Sequence, residues 1–167
     1  FDLSAELTEE LKALSRRDGV TLFMMLLAGF QIVLGQSAGQ EDVVVGTSIA
    51  NRDRLETEGL IGFFVNQVVL RTDLSGNPSF RELLRRVRET TLGAYAHQDL
   101  PFERLVEEIS PDRNPSRKPL FQVKLVYQNQ PAERFNLPSL NLDLLGDGES
   151  LKFDLMLIVG EAAGRLS

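Results

Sequence analysis

Gly59-Leu-Ile-Gly-Phe-Phe-Val-Asn-Gln-Val-Val-Leu-Arg71 is the most apolar run of the chain and decides its predicted fold. Between Leu60 and Leu70, apolar side chains occupy both faces of a period-2 pattern, which predicts a strand buried on both sides. Strands of this kind lie in the middle of an α/β sheet whose faces are covered by helices. We therefore expect an α/β domain with this run as a central strand.

One polar residue, Asn66, interrupts the apolar run. A buried amide without hydrogen-bond partners costs about 1–3 kcal/mol, so the side chain needs either partners or a wet cavity. Two interpretations follow from this requirement. The amide ties two backbone segments together, or it forms part of the wall of a ligand channel.

The residues ahead of this run predict two helices and a strand. Ser4 and Thr21 are N-caps, and Thr21 opens an apolar helix over residues 22–34 that we expect to be buried between layers. A loop over residues 35–41 then leads into a buried strand over residues 42–49 that is rich in β-branched side chains. Residues 52–58 read as an exposed connection to the next strand.

A basic stripe follows the apolar run. Ser79 and Glu82 have the spacing of a capping box and predict a helix. On that helix Arg81, Arg85 and Arg88 recur at i, i+4 and i+7. Such a stripe is either a solvated face or a docking surface for an acidic partner protein.

His97 is the only histidine and so the sole candidate for a general base near neutral pH. It lies where one helix ends and before another that begins near Pro101. A histidine in a last helical turn interacts favourably with the helix dipole, so capping is the favoured interpretation. The residues around it lack the spacing of a catalytic triad.

The last third of the chain predicts two more strands. Residues 110–119 contain three prolines and predict a loop, whereas residues 120–129 alternate as a strand with one buried face. The polar pair Gln128 and Asn129 ends that strand. Residues 151–159 are apolar enough for a strand that is largely inside, and no further element is predicted before the chain ends at Ser167.

Composition narrows the classes of function. The chain has 167 residues, a net charge of -6 and no cysteine. An acidic chain has no general affinity for nucleic acid or anionic membranes, and disulfides and cysteine zinc sites are excluded. There is also no phosphate loop, paired histidine or Gly-x-Ser-x-Gly elbow. The residues alone predict an α/β domain, compatible with a cytoplasmic location, with no metal site and no catalytic residue of its own.

Four separated blocks resemble the C-terminal half of the condensation domains of nonribosomal peptide synthetases, and they occur in that family's order. They are Thr21-Leu-Phe-Met-Met-Leu-Leu-Ala28, Val44-Val-Gly-Thr-Ser-Ile-Ala-Asn-Arg52, Ile61-Gly-Phe-Phe-Val-Asn66, and His97-Gln-Asp-Leu-Pro-Phe-Glu103 with Ser116-Arg-Lys-Pro-Leu-Phe-Gln122. The resemblance implies a chloramphenicol acetyltransferase-like lobe, with a mixed β-sheet packed by helices.

The resemblance also implies an activity. Condensation domains join an acyl or peptidyl thioester to an aminoacyl thioester, and each substrate is tethered by phosphopantetheine to a carrier protein. The family's His-His-x-x-x-Asp-Gly motif lies on the N-terminal lobe and is absent here. We therefore expect residues 1–167 to be the C-terminal subdomain of a condensation domain, trimmed at its C-terminal end, inactive alone and without direct cofactor binding. His97 falls in a motif that is largely structural in the family.

By the same resemblance, Asn66, Gln128 and Asn129 are candidate substrate-channel residues, and Arg81, Arg85 and Arg88 are candidate carrier-protein docking residues. The implied partners are the N-terminal lobe, peptidyl carrier proteins and an adjacent adenylation domain. Two alternatives stay open: a lobe of an epimerisation or heterocyclisation domain, and a degenerate lobe kept as a non-catalytic docking module.

Overall fold

The structure, a computed structural model, describes residues 2–52, 55–109, 119–128, 153–162 and 164–167. In this part of the chain the helices are α1 Ala5–Arg17, α2 Leu22–Ala38, α3 Leu55–Glu58, α4 Phe80–Ala96 and α5 Phe102–Ile109. The strands are β1 Asp42–Ile49, β2 Asn66–Asp73, β3 Val123–Gln128, β4 Leu155–Ala162 and β5 Arg165–Leu166.

The strands form one mixed sheet in the order β2-β1-β3-β4-β5. β1 pairs with β2 antiparallel and with β3 parallel, β3 pairs with β4 parallel, and β4 pairs with β5 antiparallel. The predicted mixed sheet is therefore confirmed, and β3 is its middle strand.

The core lies between one face of the sheet and the helices α2 and α4. Alternate residues of β1 and β2 point into it, including Val43, Val45, Val68 and Leu70. α2 contributes its buried apolar side, with both Met24 and Met25 inside, and α4 contributes Leu83, Leu84 and Val87. Residues on one face of a strand are spaced by two, so the apolar alternation fixes the register of the β1–β2 pair.

Three predicted N-caps are confirmed. The side-chain oxygens of Ser4, Thr21 and Ser79 accept hydrogen bonds from the backbone N–H groups three residues on, each at 3.2 Å. These bonds satisfy helix-start donors that have no partner within the helix. The predicted strand over residues 42–49 is also confirmed as β1.

The connections on either side of β1 differ from the prediction. α2 continues to Ala38 and stops at Gly39, which has φ 63° and occupies the left-handed conformation that favours glycine. The predicted loop over residues 35–41 is thus mostly helical. The predicted connection over residues 52–58 contains the short helix α3.

The apolar run does not form a central, doubly buried strand, which corrects the first expectation. β2 begins only at Asn66, pairs on its described side with β1, and lies at the edge of the sheet. Asn66 faces Ile49, the last residue of β1, so residues 59–65 extend past the end of their partner strand. Ile61 and Phe63 are consequently 105% and 91% exposed, and Leu60 and Val65 are exposed as well.

The end of the chain also differs. β4 is less buried than predicted, because Leu155 and Ile158 are each 45% exposed while Val159 lies in the core. Contrary to expectation, β5 closes the fold: Leu166 is 1% exposed, and its carbonyl accepts a 2.8 Å hydrogen bond from Leu3 N–H. Most of the predicted loop over residues 110–119 lies outside the described residues.

None of the described helices is long and apolar enough by itself to cross a membrane. Only α1 and α2 taken together meet that test, as a pair bent by 104°.

Candidate functional site

Two of the candidate channel residues, Asn66 and Gln128, lie at one end of the sheet. Asn66 begins β2 opposite Ile49, where β1 ends. β3 runs parallel to β1, with Lys124 opposite Gly46. Gln128, the last residue of β3, therefore lies at the same end of the sheet as Asn66. Because neighbouring strands are about 4.8 Å apart, two strand spacings put these two backbone positions about 10 Å apart.

Asn66 has a full set of hydrogen bonds. Its Nδ2 group donates to the carbonyl oxygens of Gln98 and Leu100, both at 2.8 Å. Its Oδ1 atom accepts from the backbone N–H groups of Gln67 at 2.9 Å and Phe102 at 3.1 Å. The four bonds use both donors and both acceptor positions of the amide.

These bonds fasten the start of β2 to the turn between α4 and α5. The partners Gln98, Leu100 and Phe102 all belong to that turn or to the first residue of α5. Of the two interpretations of Asn66, the structure bears out the one in which the amide ties backbone segments together. Its place on a channel wall stays a prediction.

A shallow depression of about 430 Å³ adjoins Asn66. Phe63, Phe64 and Phe102 supply aromatic walls, and Asp99 and Glu103 bring two carboxylates to the rim. The depression is therefore amphipathic and lies at the end of the sheet where β2 begins with Asn66. Phe63 and Phe64 were not predicted as site residues, because the apolar run that contains them has the pattern of a buried strand.

His97 occupies the position that the sequence predicts. It is the C-cap of α4, its backbone N–H donates to the carbonyl of Ala94 at 3.2 Å, and its side chain is exposed. Among the described residues there is no group of three or more side chains that would hold a metal ion.

The three arginines of α4 make contacts within the chain. Arg81 forms an ion pair with Asp18 at 3.4 Å, and Arg88 Nε donates to the carbonyl of Gly19 at 3.2 Å. Both contacts fasten α4 to the turn between α1 and α2. Arg85 pairs with Glu82 and Glu89 along the helix, and its hydrogen bond lowers the pKa of Glu82 to about 2.

The other candidate channel residues differ in how far they can be placed. Gln128 is exposed at the end of β3, beside Gly160 of β4. Asn129 lies outside the described residues. Near the same end of the sheet, burial raises the pKa of Tyr127, with a further contribution from the negative charge of Glu161.

The whole chain, residues 1–167, matches the family model described as the condensation domain. One of the linear gramicidin synthase proteins of Brevibacillus parabrevis is 57% identical over 165 residues, covering 97% of this chain and 3% of the relative. Chondramide synthase of Chondromyces crocatus is 48% identical over 167 residues, covering 99% of this chain and 4% of the relative. The chain thus spans a small part of the length of these relatives.

Two solved structures are similar over almost the whole chain. A four-domain nonribosomal peptide synthetase, holo-AB3403 bound to AMP and glycine, superposes with a TM-score of 0.87 at 25% identity, over 99% of this chain and 14% of that one. The X-domain in complex with OxyB, from teicoplanin biosynthesis, gives a TM-score of 0.85 at 30% identity, over 96% of this chain and 35% of that one.

Proposed function

The chain belongs to the condensation domain family, and on that premise we propose that it is the C-terminal lobe of a domain that forms peptide bonds between carrier-bound substrates. The donor is an acyl or peptidyl thioester and the acceptor is an aminoacyl thioester. The family match over the entire chain is the observation that carries this proposal.

The catalytic group comes from another part of the domain. Amide formation needs the amine held close to the thioester and a group that handles its proton. The chain has a single histidine, which caps α4, so it cannot contain a His-His-x-x-x-Asp-Gly motif. The N-terminal lobe of the same condensation domain supplies that motif, and this lobe alone is inactive.

The N-terminal lobe covers the exposed apolar residues between α3 and β2. Ile61 and Phe63 are almost fully exposed, with Leu60 and Val65 beside them. Contiguous exposed apolar side chains mark interaction surfaces. The chain matches 35% of the X-domain chain, which leaves room for a second lobe in a domain of that kind.

The end of the sheet near Asn66 forms one wall of the substrate channel. Asn66 keeps the α4–α5 turn against β2 and so maintains the shape of that wall. Gln128, exposed at the neighbouring strand end, and Asn129 after it supply polar groups that orient the tethered substrates.

Peptidyl carrier proteins bring both substrates on phosphopantetheine arms, and an adjacent adenylation domain loads them. Arg81, Arg85 and Arg88 form the docking surface for an acidic carrier protein. It would compete with the ion pairs of Arg81 and Arg85 and with the hydrogen bond from Arg88 to Gly19. The proposed location is the cytoplasm, where carrier-protein synthetases work.

A second candidate function is a non-catalytic docking module. Its support is the similarity to the X-domain, which was solved in complex with OxyB. An upstream coding region with an intact His-His-x-x-x-Asp-Gly motif supports the enzyme, and an upstream region without it supports the docking module.

Peptide formation from two loaded carrier proteins tests the proposal. We expect the complete two-lobe domain to form a dipeptidyl thioester on the acceptor carrier and to free the thiol of the donor carrier, measured by mass spectrometry. Residues 1–167 alone should form none. Turnover by the isolated chain would overturn the half-site assignment. A complete domain with an intact histidine motif and no turnover would overturn the proposed reaction.

A further inference from the structure

Residues 57–65, here called the apolar arch, lead from α3 to the start of β2 and carry apolar side chains outward. We propose that Arg52 is a positioning residue that holds the apolar arch in one shape from its inner side. Its purpose, to present the arch ready-formed to the N-terminal lobe, rests on the proposed function.

The guanidinium of Arg52 contacts the arch at three places. One Nη group donates to the carbonyl of Thr57 and the other to the carbonyl of Gly62 at 3.4 Å. Its Cζ atom lies 4.3 Å from the centroid of the Phe64 ring, which is cation–π geometry. A single side chain therefore joins the start, the middle and the end of the arch.

The backbone before Arg52 turns in a way that fits this role. β1 ends at Ile49, and Asn51 has φ 52°, a left-handed conformation that asparagine adopts more readily than most residues. The chain thus changes direction immediately before Arg52.

Among the contacts between described residues, few others fix the shape of the apolar arch. Leu60 N–H donates to the carbonyl of Thr57, but the bond is long at 3.4 Å. Two of its large apolar side chains, Ile61 and Phe63, point into solvent and give it no packing, whereas Phe64 is half-buried. A segment with few buried contacts has low local stability, so the cation beneath it decides how well it is ordered.

The chemistry of arginine matches the three contacts. A guanidinium is a planar fork with several N–H donors, and it can stack on an aromatic ring while it donates in its own plane. Lysine carries the same charge on a compact ammonium without that fork. An arch ordered in advance loses less conformational freedom when a partner surface binds.

Hydrogen exchange in the complete condensation domain tests the inference. We expect Arg52→Ala to speed exchange of the amides of residues 57–65 about tenfold or more, while the amides of α2 and β1 keep their protection. Arg52→Lys should give an intermediate rate. Arg17→Ala is the matched control, because Arg17 is an exposed arginine that pairs only locally, with Asp18 at 3.5 Å, among the described contacts. It should leave the arch unchanged.

Peptide formation by the same variants tests the purpose. We expect kcat for condensation to fall several-fold in Arg52→Ala and less in Arg52→Lys, with KM for the loaded carriers nearly unchanged. Unaltered exchange of the arch in Arg52→Ala would overturn the positioning role. Faster exchange with unaltered kcat would overturn the purpose, whereas an inactive unsubstituted domain would overturn the proposed function and leave the exchange result standing.

Discussion

Gly46 of β1 and Phe121, which precedes β3, fit so closely that a Cβ atom on Gly46 would lie 2.1 Å from Cε2 of the phenylalanine ring. The ring is 1% exposed and lies 5.5 Å from the rings of both Phe102 and Phe153. The Phe121 side chain thus contacts β1, α5 and the segment immediately before β4. This contact holds α5, and with it the candidate site, against the sheet.

Gly46→Ala should therefore destabilise the protein, although alanine has a higher intrinsic preference for regular structure. A contact of that length forces the ring or the strand to move, and overpacking of a filled core costs about 1–3 kcal/mol. The free energy of unfolding, measured in urea, checks the prediction. In Gly93→Ala, a Cβ would meet nothing within 4 Å in α4, so this control should gain about 0.5–1 kcal/mol.

Phe121→Ala should cost about 3–5 kcal/mol by itself, because a large buried ring is removed. In that background, adding Gly46→Ala should cost much less than it does alone, since the new methyl group enters the space that the ring leaves. If Gly46→Ala lowered the free energy of unfolding equally with and without Phe121→Ala, the close contact with the ring would not be the cause of the destabilisation.

Asn66→Ala should lower condensation by the complete domain more than His97→Ala does. Asn66→Ala removes four hydrogen bonds, three of which fasten the α4–α5 turn, at a net cost of about 2–3 kcal/mol. His97→Ala changes only the exposed C-cap residue of α4. We expect at least a tenfold loss of rate for Asn66→Ala and less than threefold for His97→Ala, measured as peptide formed from loaded carriers. Loss of activity in a folded His97→Ala protein would contradict this order of importance.

The ion pair at the start of α4 predicts a dependence of stability on pH. A hydrogen bond from Arg85 lowers the pKa of Glu82 from 4.5 to about 2. A carboxylate with a lowered folded pKa stabilises the protein above its unfolded pKa, and this contribution disappears as pH falls from about 4.5 to about 2. Urea midpoints of Glu82→Gln should therefore decline less over this range than those of the unsubstituted chain. Glu10→Gln, in the exposed part of α1, is the control.

Leu166 should be as important as a residue of the main core, despite its place in a two-residue strand. It is 1% exposed, and its N–H donates to Thr8 Oγ1 at 3.2 Å. Leu166→Ala should cost about 2–4 kcal/mol. Leu155→Ala, at a position of β4 that is 45% exposed, should cost less than about 1 kcal/mol by thermal or urea unfolding. Similar losses for both would contradict the anchoring role of β5.

Local signals in the sequence were sufficient to predict much of the fold. The caps Ser4, Thr21 and Ser79 act within one helical turn, so their residue type and spacing predict them directly. The bounds of β1 follow from its β-branched residues and flanking polar groups. The family resemblance and the chloramphenicol acetyltransferase-like fold are confirmed by the match to the condensation domain and by the solved structures.

Other features depend on partners that are distant in the sequence. The apolar run before Asn66 has the composition of a buried strand, but apolarity does not reveal whether a side chain faces its own sheet or a surface elsewhere in a larger protein. β5 is too short for any periodic pattern. Three of the four hydrogen bonds of Asn66 join it to residues more than 30 positions away, so the sequence predicts a need for partners without identifying them.

The hydrogen bond between Leu3 and Leu166 has a topological consequence. It brings Leu3 and Leu166 to the same corner of the fold, so a short linker between these two positions would leave the sheet undisturbed. A circularly permuted form, with Leu3 and Leu166 connected and new ends placed elsewhere on the described surface, should therefore keep this sheet.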